Sequence, residues 1–202
     1  MTSSNRRHFV LGLFTASVVA CSSSSSPSGG GGGTTGSGSA SGTVGGVSYS
    51  IADGFAFSNV SPGDGQTNYS LGISLVTNAG VCAFRDANPD AAKSNSGSVF
   101  LDLLSANEAI APGDYPIFAA DAGDLTPGNP GASATVESLD GSCSGESVAA
   151  TDGSVTLTSV DNGTFTGTYT LTFATGSLTG SFSVSACPAT NSGGGGSGGQ
   201  CL

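Results

Sequence analysis

Few residues in this 202-residue chain have the type and spacing that catalysis or metal binding requires. Its single histidine, His8, stands near the N-terminus, in a segment read below as a leader. Beyond it there is no imidazole, so hydrolysis through a histidine base and histidine metal ligation have no residue to act through. Gly141-Ser142-Cys143-Ser144-Gly145 copies the spacing of a nucleophile elbow with cysteine at its centre. With no base to activate it, and with Cys143 expected to be oxidised, the segment reads as a turn. Asp102 lies inside the apolar run Val99-Phe100-Leu101-Asp102-Leu103-Leu104. A carboxyl withheld from water there would keep its proton to higher pH, and with a second acid it could serve glycoside chemistry. Period two, however, puts Val99, Leu101 and Leu103 on one face and Asp102 on the other, toward solvent. Asp86 with Asp90, or Asp121 with Asp124, could contribute to a calcium site. Neither pair has a D-x-D-x-D-G loop, and both read as solvated turns. No phosphate-cradling glycine motif is present, so neither a metal nor a cofactor is expected.

The elements that would position these groups are strands. In residues 152–187, Phe165, Gly167, Tyr169, Leu171 and Phe173 alternate with Thr164, Thr166, Thr168, Thr170 and Thr172. Leu178, Gly180, Phe182, Val184 and Ala186 repeat the alternation, and Val155 and Leu157 begin a strand before them. Asp161-Asn162-Gly163 and Ala174-Thr175-Gly176-Ser177 supply the residues that tight hairpins need. The three strands should form an antiparallel meander that buries Phe165, Tyr169, Phe173 and Phe182.

Upstream, Val47, Tyr49 and Ile51 give an alternating strand, and Phe55 and Phe57 another after an Asp53-Gly54 turn. Tyr69, Leu71, Ile73 and Leu75 give a third, Val99 to Leu104 a denser one, and Tyr115–Ala119 and Ala134–Val136 two more. Asn88-Pro89-Asp90-Ala91-Ala92-Lys93 has the order of a capped helical turn. About eight to ten strands with frequent turn signals predict an all-β fold, an antiparallel β-sandwich or a partly closed barrel. Tyr49, Tyr69, Tyr115 and Tyr169 all fall on apolar phases and are expected in the core.

Composition narrows the function classes. Charged residues make up 9% and the formal net charge is −10. Outside the leader, Arg85 and Lys93 are the only basic side chains against 14 acidic ones. Such a surface neutralises no phosphate backbone, which argues against nucleic acid as a partner, and it gains nothing from anionic lipid. Tryptophan, a common anchor in carbohydrate and peptide binders, is absent.

The ends carry addresses rather than folds. Arg6-Arg7-His8-Phe9-Val10 precedes a short, mild apolar run from Leu11 to Ala20, too short to span a bilayer. Arg6, Arg7 and Phe9 resemble the twin-arginine export signal; an ordinary secretory leader is the alternative. Val18-Val19-Ala20-Cys21 resembles the lipobox of bacterial lipoproteins, which implies cleavage before Cys21 and acylation of its side chain. At about 0.8 kcal/mol per buried methylene, several acyl chains on one residue hold a domain to a membrane. Ser22 after the cysteine would place it, by family analogy, in the outer membrane rather than the inner. This gives residues 1–20 as signal peptide, 21–46 as lipid anchor and Ser/Gly linker, 47–187 as the β domain and 188–202 as a Gly-rich tail ending in Cys201. A 25-residue linker of that composition would reach roughly 25–30 Å.

Beside Cys21 there remain Cys82, Cys143, Cys187 and Cys201, an even number that implies disulfides in an exported domain. Their pairing is open, except that one bridge should clip the tail to the domain. The layout of leader, lipobox cysteine, Ser/Gly tether and small β domain resembles uncharacterised cell-surface lipoproteins of myxobacteria. Ala111-Pro112-Gly113-Asp114-Tyr115 and Gly163-Thr164-Phe165-Thr166-Gly167-Thr168-Tyr169 look like what such domains carry. The resemblance implies no catalytic residues. The expected function is a non-enzymatic, membrane-tethered surface or interaction module of the bacterial envelope. The alternatives are a lipocalin-like carrier of a small apolar ligand and, third, a carboxylate glycosidase.

Overall fold

The computed structural model describes residues 36–63, 65–88, 91–118, 127–187 and 201–202. Arg6, Arg7, Phe9 and Cys21 lie outside them, as do Asp90, Asp121 and Asp124. In chain order the described elements are β1 (Ser37–Val44), β2 (Asp53–Gly63), β3 (Gln66–Val76), α1 (Val81–Ala87), β4 (Gly97–Ala106), β5 (Gly113–Pro116), β6 (Gly131–Leu139), β7 (Gly145–Ala149), β8 (Asp152–Asp161), β9 (Thr164–Phe173) and β10 (Gly176–Ser185). They form two five-stranded antiparallel sheets, β1-β10-β9-β8-β5 and β2-β3-β4-β6-β7. The two sheets are not closed into a barrel, which is consistent with a sandwich, and the isolated bridges Ala56↔Ala186 and Ile117↔Ala132 link them.

The meander β8-β9-β10 stands as its alternation requires, with Leu171 opposite Leu178 and Val155 opposite Tyr169. Its inward glycines have a reason. Gly167 faces Phe182 across the ladder and Gly180 faces Tyr169. A Cβ on Gly167 would meet the Phe182 ring at 2.5 Å, and one on Gly180 would meet the Tyr169 ring at the same distance. Each ring thus lies over a residue that has no side chain. This lets Tyr169 reach across β10 and donate its hydroxyl to the Ser39 carbonyl of β1 at 2.7 Å. Between the sheets lie Leu71, Ile73, Leu75, Val99, Leu101 and Leu103 from one side and Val155, Leu157, Leu171, Leu178 and Phe182 from the other. Each such side chain contributes roughly 1.5–3 kcal/mol by leaving water. Tyr49, Tyr115, Tyr169 and Phe173 are buried as expected, whereas Tyr69 and Phe165, near the hairpin ends of β3 and β9, are only half-buried.

Four expectations need correction. Residues 37–44, assigned to the linker, are a strand paired with β10 from Ser37↔Ser183 to Val44↔Gly176. The sheet therefore starts well before Val47. Small inward residues are what the site demands, since a Cβ on Gly38 would sit 3.0 Å from Leu75. Residues 47–51 form no strand: Gly45 (φ 58°) and Gly46 (φ 81°) reverse the chain, and only Val47 bridges back to Val44. The segment packs Tyr49 into the core from a loop. Asp53-Gly54 is the start of β2 and not a turn. Finally, the helix is Val81–Ala87 and ends where the predicted helical turn would begin, at Asn88.

Candidate interaction face

The open question of cysteine pairing is answered by geometry. Cys82, in α1, pairs with Cys187 beyond β10, and Cys143 pairs with Cys201. The second bridge clips the C-terminus to the domain, where the Leu202 amide donates to the Ala92 carbonyl at 3.0 Å. Cys143 sits at φ 56° in a tight turn organised by Asp140, whose carboxylate accepts the Ser142 hydroxyl and the amides of Ser142 and Ser144. Those hydrogen bonds, the Ser142 side chain first, hold the Asp140 carboxyl below its ordinary range. The elbow-like spacing is thus a disulfide-bearing turn. Among the described residues no cluster of three histidine, cysteine or acidic side chains could hold a metal ion.

The two outer faces differ in chemistry. On the β1–β10–β9–β8 face, hydroxyls line up in transverse rows such as Ser39, Ser181, Thr168 and Thr156. Neighbouring strands tie them together, with Ser39 and Ser181 2.9 Å apart and the Thr156 hydroxyl donating to Asp114 at 2.7 Å. A shallow depression there is lined by Ser37, Thr158, Thr166, Thr168 and Ser183. Such cross-strand pairs stabilise a sheet and solvate it without charge.

The outer face of β2–β3–β4–β6 is aromatic instead. In β2 it is Ala56 that points into the core, opposite Ile73, so Phe55 and Phe57 point outward. Phe57 and Phe55 belong to the two adjacent register rows Phe57–Gly72–Asp102–Ser133 and Phe55–Ser74–Phe100–Thr135. Because Gly72 has no side chain, the Phe57 ring leans over it, within 2.3 Å of where a Cβ would stand. That brings it beside Phe100, with centroids 5.9 Å apart and planes 17° from parallel. Phe57 remains 46% exposed. Phe55 is buried, in part under α1, whose Arg85 guanidinium carbon stands 4.9 Å from the ring centroid. One row further on, Phe118 covers Gly131 as Phe57 covers Gly72.

Asp102 lies among these rings. It is on the outer face, as alternation requires, yet half-buried, and burial alone raises its pKa to about 6. On the described strands of this face the next acid along the sheet is Glu137, opposite Ser98 and two register rows away. Two rows correspond to about 13 Å along a strand, wider than the roughly 5–10 Å that paired glycosidic carboxylates use. No family model, no curated protein and no solved structure matches this chain.

Sequence reasoning placed Asp102 correctly by face but left Phe57, Phe100 and Gly72 out of any site. Phe55 and Phe57 read only as one alternating strand, and an isolated glycine amid Tyr69, Leu71, Ile73 and Leu75 was the one available sign of a close approach.

The raised pKa has a measurable consequence. Between the ordinary carboxyl value near 3.8 and about 6 the folded state holds a proton that the unfolded chain has released. Stability from this group is therefore present below about pH 4 and lost as pH rises through 6. Asp102→Asn, which mimics the neutral form, is expected to be more stable than the parent by about 2–3 kcal/mol at pH 7.5 and nearly equal to it at pH 4. Urea titrations of both proteins at the two pH values measure this; an equal difference at both would exclude ionisation as the cause.

Proposed function

We propose that this chain is a non-enzymatic interaction module of the bacterial envelope, exported through the leader carrying Arg6, Arg7 and Phe9 and held by lipid on Cys21. The outer membrane is its expected location. The working surface in this reading is the outer face of the second sheet. One observation carries it: Phe57 keeps 46% of its surface in water while stacked beside Phe100 over a glycine made bare for it. An apolar side chain of that size is ordinarily placed in the core, and the core position in β2 goes to Ala56. An aromatic patch rimmed by polar residues is the usual form of a recognition surface. The apolar interior also supports a module over a carrier, because buried side chains of both sheets pack into one cluster.

The layering suits a tethered domain. The chain enters the fold through β1, an edge strand of the first sheet, and the aromatic face belongs to the second. Replacing Cys21 with serine should move the protein from the detergent-phase membrane fraction to the aqueous fraction and abolish incorporation of a labelled fatty acid. Persistence of the serine variant in the membrane fraction would defeat the anchoring half of this reading.

A further inference from the structure

Both cations of the folded domain end over phenyl rings. The Arg85 guanidinium stands over Phe55, and the Lys93 ammonium lies 5.4 Å from the centroid of Phe84. The chain's two other basic residues, Arg6 and Arg7, belong to the leader. Next to the Arg85–Phe55 pair, the same face offers a second aromatic surface in Phe57 and Phe100, with the Asp102 carboxyl in register with Phe57 across Gly72.

A ring face carries negative potential from its quadrupole, and a nearby carboxylate adds a full charge. Both attract a cation, and both act more strongly where water is partly excluded. We infer that the Phe57–Phe100–Asp102 surface takes the guanidinium of an arginine presented by a basic segment of a partner protein. The assignment rests on reading this face as an interaction surface, and it names the occupant.

Three features select that occupant. The Arg85 guanidinium carbon already stands 4.9 Å from the centroid of the neighbouring Phe55 ring, so this face holds a guanidinium at cation–π distance. The excess of 14 acidic over four basic residues means that the partner has to bring the positive charge. A neutral sugar could stack on Phe57, but it would leave the Asp102 charge uncompensated in its half-buried position.

The test uses the full chain carrying Cys21→Ser, which keeps it in water. It is titrated, with chemical shifts as the readout, against a short arginine–glycine peptide and against the same peptide with citrulline for arginine, which has the same shape and no charge. Chitotriose is the neutral stacking control. The arginine peptide is expected to bind saturably and at least tenfold more tightly than the citrulline peptide. Phe57→Leu and Asp102→Asn should each weaken it about tenfold, while Thr168→Ala on the opposite face leaves it unchanged.

Equal binding of the two peptides would overturn the assignment. So would arginine binding indifferent to both Phe57→Leu and Asp102→Asn, which would mark diffuse attraction to an acidic surface. Saturable chitotriose binding that Phe57→Leu abolishes, without arginine binding, would replace the occupant but keep the face. If no probe shifts signals around Phe57, the face itself is called into question along with its occupant.

Discussion

Replacing Cys82 and Cys187 together with alanine is expected to lower the unfolding free energy by about 4–5 kcal/mol. The bridge joins residues 105 apart in sequence. Without it the unfolded chain recovers the freedom of a very long loop, and the loss grows with the logarithm of loop length. The bridge also links two layers of the fold: Cys82 lies in α1, which follows β3 of the second sheet, while Cys187 follows β10 of the first. A domain of this size has total stability on the order of 5–15 kcal/mol, so the variant should keep at most about 10 kcal/mol and melt well below the parent. Urea denaturation of parent and double variant under non-reducing conditions measures the difference. A change below about 1 kcal/mol would mean that the sandwich holds its layers together without the staple.

Asp53→Ala should cost about 3–4 kcal/mol, the second largest effect expected. Asp53 is fully buried, with 0% exposure. One of its oxygens accepts the Gly54 amide at 2.8 Å, and the other accepts the amides of Gly80 and Val81 at 2.8 and 2.9 Å. The helix α1 has no capping side chain of its own at Gly80, so a carboxylate from β2 satisfies its opening amides instead. Alanine would leave three amides without that acceptor, at a cost of about 1–3 kcal/mol for each that water cannot reach. Asp53→Asn, which keeps one oxygen but sets an N–H against a donor, should fall between alanine and the parent. Thermal unfolding of the three proteins orders them, and an alanine variant within 0.5 kcal/mol of the parent would show that water replaces the carboxylate freely.

Asp53 also shows where the sequence stopped being informative. Asp53-Gly54 has the composition of a turn, and its role depends on Gly80 and Val81, far along the chain. For the same reason the helix was misplaced: Val81–Ala87 carries no start signal, whereas Asn88-Pro89-Asp90 carries several. Alternation was reliable where large side chains marked it, in β3, β4, β9 and β10. It was just as regular in β1, where Gly38, Ala40 and Gly42 alternate with Ser37, Ser39, Ser41 and Thr43. Composition hid that signal, because a strand with glycine inside and serine outside looks like a linker.

The aromatic face was illegible for a different reason. Period two says that Phe55 and Phe57 share a side, but not which side. In β2 the answer depends on Ala56 fitting a core already filled by Leu71, Ile73 and Leu75. That Asp102 sits among rings depends on the register that sets Gly72 between it and Phe57, which one strand cannot disclose alone.

The proposed function requires the outer face of the second sheet to be engaged by a partner in the envelope. Hydroxyl-radical footprinting of the protein on isolated envelopes, against the same protein released into detergent, reads the exposure of Phe57 and Phe100 directly. Oxidation of Phe57 is expected to fall several-fold in the envelope, while Val160, exposed on a strand of the other sheet, stays as reactive as before. Equal oxidation of Phe57 in both preparations, or protection of Val160 instead, would contradict the claim.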